Sequence, residues 1–223
     1  MSKSVLVVAA HADDEALGCG GTLARHVAEG DRVHVLFLAD GVTARVDVDR
    51  QAQQRRQRAT EQACAELGVT ELSFLGLPDN RLDSLPLLEV VQPLEALLAR
   101  LKPQLIYTHH MGDLNVDHQV AHQAVLIASR PLPGQSVREI LTFEVMSSSE
   151  WSNPGYLPFL PNHFVDISAQ LLAKLAALDC YAEEMRPAPH SRSRQHLAAL
   201  ALHRGHSVGV AAAEAFMLVR RLQ

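Results

Sequence analysis

Several absences narrow the function classes open to this chain. Aromatic residues make up only 4% of the 223 positions, which leaves few platforms on which bases could stack. There is no basic excess either: 20 Lys and Arg stand against 25 Asp and Glu, a formal net charge of −5. A dedicated nucleic-acid binder carries the opposite balance on one face. Cysteine is scarce, with three in all; an odd, sparse set excludes a disulfide scaffold and suits a reducing compartment. No run approaches the roughly 20 apolar residues that a membrane span needs. The apolar segment 5–10 is too short for a signal core, and His11 with three acids follows it where a cleavage site would stand. The expectation is a cytoplasmic protein with neither membrane nor nucleic-acid partners.

What is present is material for one sizeable core, with 48% hydrophobic residues in a length that favours a single domain over two. Short β-branched runs at 5–10, 33–38, 72–75, 104–108 and 139–145 read as strands. Helical patterns separate them at 16–29, 47–67, 85–101 and 117–129, with Gly30 and Gly68 as stops. Strand–helix alternation at this spacing predicts parallel strands joined by helical crossovers, a doubly wound α/β sheet. Residues 131–161 are loop-rich. A short strand near Phe164, a helix over 171–184 and a His/Arg/Pro segment over 186–196 follow, and the tail 211–220 reads equally well as helix or strand. The expected organisation is one domain over 1–223, with a core in 1–145 and an elaboration in 146–223 that caps the active rim.

Ligands of open α/β sheets bind beyond the carboxyl ends of the strands, and that rim is where the twelve histidines become informative. His11, Asp13, Asp14 and Glu15 follow the first strand, and Asp40 the second. His109, His110, Asp113, Asn115, Asp117 and His118 follow the fourth. A catalytic zinc takes three His/Asp/Glu ligands and leaves a fourth position for water. His11 and Asp14, three apart on a turn entering a helix, can face one ion, and His118 could complete the set. Asp13 must point elsewhere and is then available to act on the water as a general base.

These residues resemble a known family. The run His11-Ala12-Asp13-Asp14-Glu15 is similar to the His-Pro-Asp-Asp-Glu signature of the LmbE-like, or PIG-L-like, zinc-dependent N-deacetylases. The likeness continues through 17–22, Arg58-Ala59-Thr60-Glu61, Pro78-Asp79, 113–118, Asp166-Ile167, Lys174, Arg204-Gly205 and 213–216. It implies a Rossmann-like three-layer fold and one zinc per chain held by His11, Asp14 and His118, with Asp13 as general base. The implied reaction is removal of an N-acetyl group from an amino sugar or its conjugate. Arg58 matches a position that contacts substrate in related enzymes, and Asp117 is expected to back the ligands. Relatives assemble as dimers or hexamers, so a homo-oligomer is implied as well. The chain departs from the pattern in two places. Ala12 replaces a proline, which costs loop rigidity only. Asn115 stands where many members carry a histidine that helps stabilise the tetrahedral intermediate. An amide supplies no cation, so the oxyanion would need another donor; His109, His110, His190 and Arg204 are the candidates.

Plainer readings compete. Asp13 and Asp14 could simply cap a helix. The run Gly18-Cys19-Gly20-Gly21 matches no phosphate-loop pattern and is expected to bring a helix close to the sheet. Cys19, Cys64 and Cys180 are expected in the core. His122 lies on the same face as His118 but is expected behind the site. Arg45, Arg50, Arg55, Arg56 and Arg58 read as a solvated helix face or, alternatively, as a grip for a substrate phosphate. The segment 186–194 is expected to return to the rim as a lid, and specificity to reside in 40–58 and 146–196. Two rival functions share the same ligands. One is a metal-dependent hydrolase of another bond, such as the amide of a thiol-sugar conjugate or a phosphoester. The other is a non-catalytic metal or sugar-nucleotide binder, which has no need of the extra carboxylate of Asp13.

Overall fold

The computed structural model describes residues 2–41 and 50–223. Strand β1 (Ser4–Ala9) is buried over most of its length, and its side chains alternate between two cores as a pleated strand requires. Val5, Val7 and Ala9 pack toward helices α1 (Asp14–Ala28) and α5 (Leu171–Cys180), while Leu6 and Val8 pack toward α3 (Leu87–Leu101) and α4 (Val116–Ala128). The remaining strands are β2 (Arg32–Ala39), β3 (Glu71–Leu77), β4 (Leu105–His109), β5 (Glu139–Phe143), β6 (His163–Asp166) and β7 (Ala213–Arg221), and the remaining helices α2 (Arg50–Glu66) and α6 (Arg194–His206). The sheet order is β3-β2-β1-β4-β5-β7-β6. Strands β1 to β5 pair in parallel, and β7 runs antiparallel to both β5 and β6. The doubly wound α/β arrangement is borne out, with helices on both faces of a mostly parallel sheet.

The C-terminal third differs from a simple cap. The tail is a strand, and β7 with β6 extends the sheet beyond β5. Its Ala-rich start favours a helix on propensity alone, yet the partnership with β5 decides. Helix α6 has no counterpart among the expected elements, because its Leu and Ala residues surround the axis without forming a stripe. Helix α5 ends at Cys180, short of 184, and His109 closes β4 instead of following it. Arg45 and the start of the helix expected from 47 lie outside the described residues. Cys19 and Cys64 are buried, Cys180 is partly so, and all three are free thiols.

Helix α1 is interrupted at Cys19, whose backbone leaves the helical region (φ −145°). The neighbouring glycines explain how closely it lies on the sheet: a β-carbon on Gly18 would run into the Phe143 ring, and one on Gly21 would stand 2.7 Å from Ile167. The break exposes groups that an intact helix would pair. Leu17 O accepts from Lys174 Nζ at 2.8 Å. On the other side of the break, Glu214 accepts from Gly21 N at 3.0 Å and Thr22 N at 2.7 Å, and Lys174 donates to Glu214 in turn. One buried ion pair therefore mends both loose ends.

His34, buried on β2, lies 2.9 Å from Ser73 Oγ and 3.4 Å from Glu71 through its two nitrogens. Burial holds its imidazole below the ordinary value, against the opposing pull of Glu71. On acidification the unfolded chain therefore takes up this proton first, near its ordinary pKa of about 6.5, and stability falls from there toward the lower folded value. We expect His34→Gln to show a smaller drop in Tm than the parent between about pH 7.5 and 5.5. Equal drops would refute the assignment.

Candidate active site

The sheet order reverses between β1 and β4, which opens a crevice at their carboxyl ends. His11, Asp13 and Asp14 leave β1 there, His109 ends β4, and His118 lies in the first turn of α4. Asp14 is the hub. Its Oδ2 accepts from His11 N at 2.8 Å and stands 3.3 Å from His11 Nδ1, 3.4 Å from His118 Nε2 and 3.4 Å from His109 Nε2. Ligand atoms of His11, Asp14 and His118 all lie within 4.8 Å of one another.

The far nitrogen of each outer imidazole faces a carboxylate. His11 Nε2 is 3.0 Å from Asp117 Oδ2 and 3.2 Å from Asp79 Oδ1, and Asp117 Oδ1 accepts from Leu82 N at 2.9 Å. His118 Nδ1 is 3.1 Å from Asp113 Oδ1, and Asp113 is held by the hydroxyls of Ser148 and Ser149 and by Asn115 N. Carboxylates placed behind imidazoles in this way orient metal-binding histidines and set their tautomer. Burial would lower both imidazoles, but the carboxylates outweigh it: Asp117, Asp14 and Asp79 raise His11, and Asp14 with Asp113 pushes His118 up to about 9. Despite its own burial, Asp14 is held well below the carboxylate range by His118, His109 and His11. His118 and the two serine hydroxyls likewise bring Asp113 to about 2.

Asp14 Oδ1 is buried without a hydrogen-bond partner, a costly state for a carboxylate oxygen. With the imidazoles of His11 and His118 on the same carboxylate, Asp14 completes an N, O, N donor set that fits a divalent cation of the zinc type.

Asp13 is turned away from that set by its backbone. It occupies the position before α1 with φ 111° and makes no side-chain cap, so a purely capping role does not describe it. Its Oδ2 accepts from Arg192 Nη1 at 2.8 Å, and Arg56 Nη2 stands 3.9 Å from Oδ1. Burial raises its pKa against the pull of both arginines. The turn is secured from beneath: Asp13 N donates to Glu15 Oε2 at 3.0 Å, and Tyr181 Oη to Glu15 Oε1 at 2.6 Å. Burial pushes Glu15 up to about 8 in spite of the tyrosine.

With this geometry in view, comparison with known proteins is direct. The family described as PIG-L: GlcNAc-PI de-N-acetylase matches residues 6–129, more than half of the chain. The chain belongs to the PIG-L family. It is 29% identical over 183 residues to the uncharacterized deacetylase YaiS of Escherichia coli (strain K12), covering 79% of this chain and 89% of that protein. It is 28% identical over 230 residues to the 1D-myo-inositol 2-acetamido-2-deoxy-alpha-D-glucopyranoside deacetylase of Actinosynnema mirum, with 81% and 80% covered. Among solved structures, the conserved protein TT1542 from Thermus thermophilus superposes with a TM-score of 0.79 at 27% identity, covering 99% of this chain and 96% of that one.

Other expected site residues of this PIG-L chain lie elsewhere or are already engaged. Arg58 is exposed and lines a cleft of about 290 Å³ beside Cys180 and Tyr181. The arginine that reaches the crevice is Arg56, which donates to Ala12 O at 2.6 Å and pairs with Glu184. Two residues along a helix turn the side chain by about 200°, so Arg56 shares the inner face with Thr60 while Arg58 cannot. Asn115 caps α4, accepting from Asp117 N at 2.8 Å and donating to Asn80 Oδ1 at 3.1 Å. His109 Nε2 accepts from Ala10 N at 2.8 Å, and its ring stacks on His118 at 3.9 Å. His110 Nε2 is 2.7 Å from Leu157 O, and His122 Nδ1 is 2.9 Å from His109 O. Arg204 grips both oxygens of Glu144 at 2.9 and 2.8 Å, and His190 Nδ1 accepts from Arg192 N at 3.0 Å. The segment 186–194 does reach the rim, through Arg192.

Sequence reasoning names Arg56 only as one of five arginines offered as a solvated face or a phosphate grip, places Asp113 and Glu15 at strand ends without a role, and assigns none to Arg192 or Tyr181. Asp113 has a signal in its place among the strand-end acids. Arg192 lies in the segment 186–194 that is expected at the rim, but nothing local to residue 192 marks a partner at residue 13.

Proposed function

We propose that this chain hydrolyses the N-acetyl group of an amino sugar carried in a small-molecule conjugate, releasing acetate and a free amine. The observation that carries the reading is the buried carboxylate of Asp13, which stands beside the His11/Asp14/His118 donor set without belonging to it. A protein that only binds a metal or a sugar nucleotide has no use for that second carboxylate, whereas a hydrolase needs a base at that point. Family membership supports the bond type, and the deacetylase of Actinosynnema mirum supports an N-acetylglucosamine linked to inositol as the first substrate to try.

His11, Asp14 and His118 would hold one divalent cation, zinc by its donor set. When bound, such a cation polarises an acyl oxygen and lowers the pKa of water. The other steps belong to the chain itself. Asp13 accepts a proton from water as the water oxygen bonds to the acyl carbon and the carbonyl electron pair moves onto oxygen. The carbon–nitrogen bond then breaks, and the proton held by Asp13 passes to the departing nitrogen. Asp117 and Asp113 keep the His11 and His118 rings in register throughout.

Acetate and amine released in equal amounts from the inositol-linked N-acetylglucosamine, with no phosphate released from phosphoester analogues, is the expected result. Phosphate release without acetate would favour the phosphoesterase alternative, and amine release from a thiol-sugar conjugate alone would favour that amide. For the cation, His118→Ala is expected to lose bound zinc by elemental analysis, and full occupancy in that variant would overturn the donor set.

A further inference from the structure

Hydrolysis of an amide places negative charge on the former carbonyl oxygen, and a pre-aimed donor at that oxygen is worth roughly 10²- to 10³-fold in rate. Most of the candidate donors are occupied. The Asn115 amide bonds Asn80, His109 Nε2 is an acceptor, and Arg204 is spent on Glu144. Both terminal nitrogens of Arg56 are engaged, by Glu184 and Ala12 O, and its unpartnered Nε is buried.

Arg192 is differently placed. Its Nε donates to Ser147 Oγ at 2.6 Å and to Met146 O at 3.3 Å, which fixes the plane of the guanidinium. Nη1 holds Asp13 at 2.8 Å. Among the described residues no hydrogen bond engages Nη2, and a fifth of the side chain remains exposed. A guanidinium presents its donors in a rigid fork, so a group bound at Nη2 lies alongside the carboxylate bound at Nη1.

We propose that Arg192 is the oxyanion donor of the deacetylation, holding Asp13 with one Nη and the acyl oxygen of the substrate with the other. The inference rests on the deacetylase reading above and adds a catalytic residue to it. Arg192 lies beyond the matched region 6–129, so the catalytic rim is completed by the C-terminal third. The fork also accounts for how an acyl carbon would be presented to a water next to Asp13: the same planar group fixes base and oxygen together.

Two measurements on the zinc-loaded full chain test it. In the first, Arg192→Ala is expected to lower kcat on the inositol-linked substrate by about 10²-fold or more with KM little changed. Added methylguanidinium should restore part of the rate to this variant and none to Asp13→Asn. The second uses acetate, whose oxygens can occupy the same place, as a binding probe followed by calorimetry. Its affinity is expected to fall about tenfold in Arg192→Ala, with zinc content unchanged. Arg192→Lys keeps one charge beside Asp13 but not the fork, and it serves should the alanine variant not fold; it should remain impaired in both measurements. Acetate affinity and kcat at parental levels in Arg192→Ala, or in Arg192→Lys, would overturn the proposal. If the parent releases no acetate from the substrate while acetate binding still depends on Arg192, the substrate reading falls and the donor assignment stands.

Discussion

Asp13→Asn is expected to keep its fold and its bound metal while turnover falls by about 10²- to 10⁴-fold, the range that removal of a positioned base covers. Asparagine tolerates the left-handed backbone at φ 111° better than most residues, and its amide oxygen can still accept from Arg192 Nη1. What it cannot do is take the proton of water. Because Asp13 stands outside the His11/Asp14/His118 set, metal content by elemental analysis should be unaffected, and this separates loss of the base from loss of the cation. An Asn variant that turns over at the parental rate, or one that loses its zinc, would refute the division of roles between the two adjacent aspartates.

Glu214→Ala is expected to destabilise the protein by about 3–5 kcal/mol, the usual cost of breaking a buried ion pair by removing one partner. Lys174 would be left charged and buried, and Gly21 N and Thr22 N would lose their acceptors. Lys174→Met removes the cation and packs its space, so the double variant Lys174→Met/Glu214→Gln should recover a large share of the loss. A double-mutant cycle in urea reads the coupling directly. Independent, additive effects would show that the pair does not act as the mend of α1.

The legible part of this protein is the part written locally. The β-branched runs and Gly stops mark five parallel strands, and the rule that ligands sit at strand ends draws attention to His11, Asp13, Asp14 and His118 from sequence alone. Arg58 is expected at the site by resemblance, whereas helical rotation puts Arg56 on the crevice and Arg58 on solvent. The tail 213–221 is ambiguous because an alanine run favours a helix until a neighbouring strand supplies its partners. Lys174 and Glu214 fall within the resemblance and Arg192 within the segment expected at the rim, but what each of them touches is not legible, for one common reason. Each makes its decisive contact across most of the chain, where neither periodicity nor composition carries a signal.

The mend in α1 also dictates an order of assembly. Glu214 reaches Gly21 across 193 positions, and Arg192 reaches Asp13 across 179. During synthesis the first strand and its histidine leave the ribosome early, but the helix that follows stays unsealed until nearly the last strand has been made. Such distant contacts form slowly, so the nascent chain exposes the turn that carries His11 and Asp14 well before it can hold that turn still. The rim around Asp13 is therefore closed late, only once residues 192 and 214 have come back to the first helix.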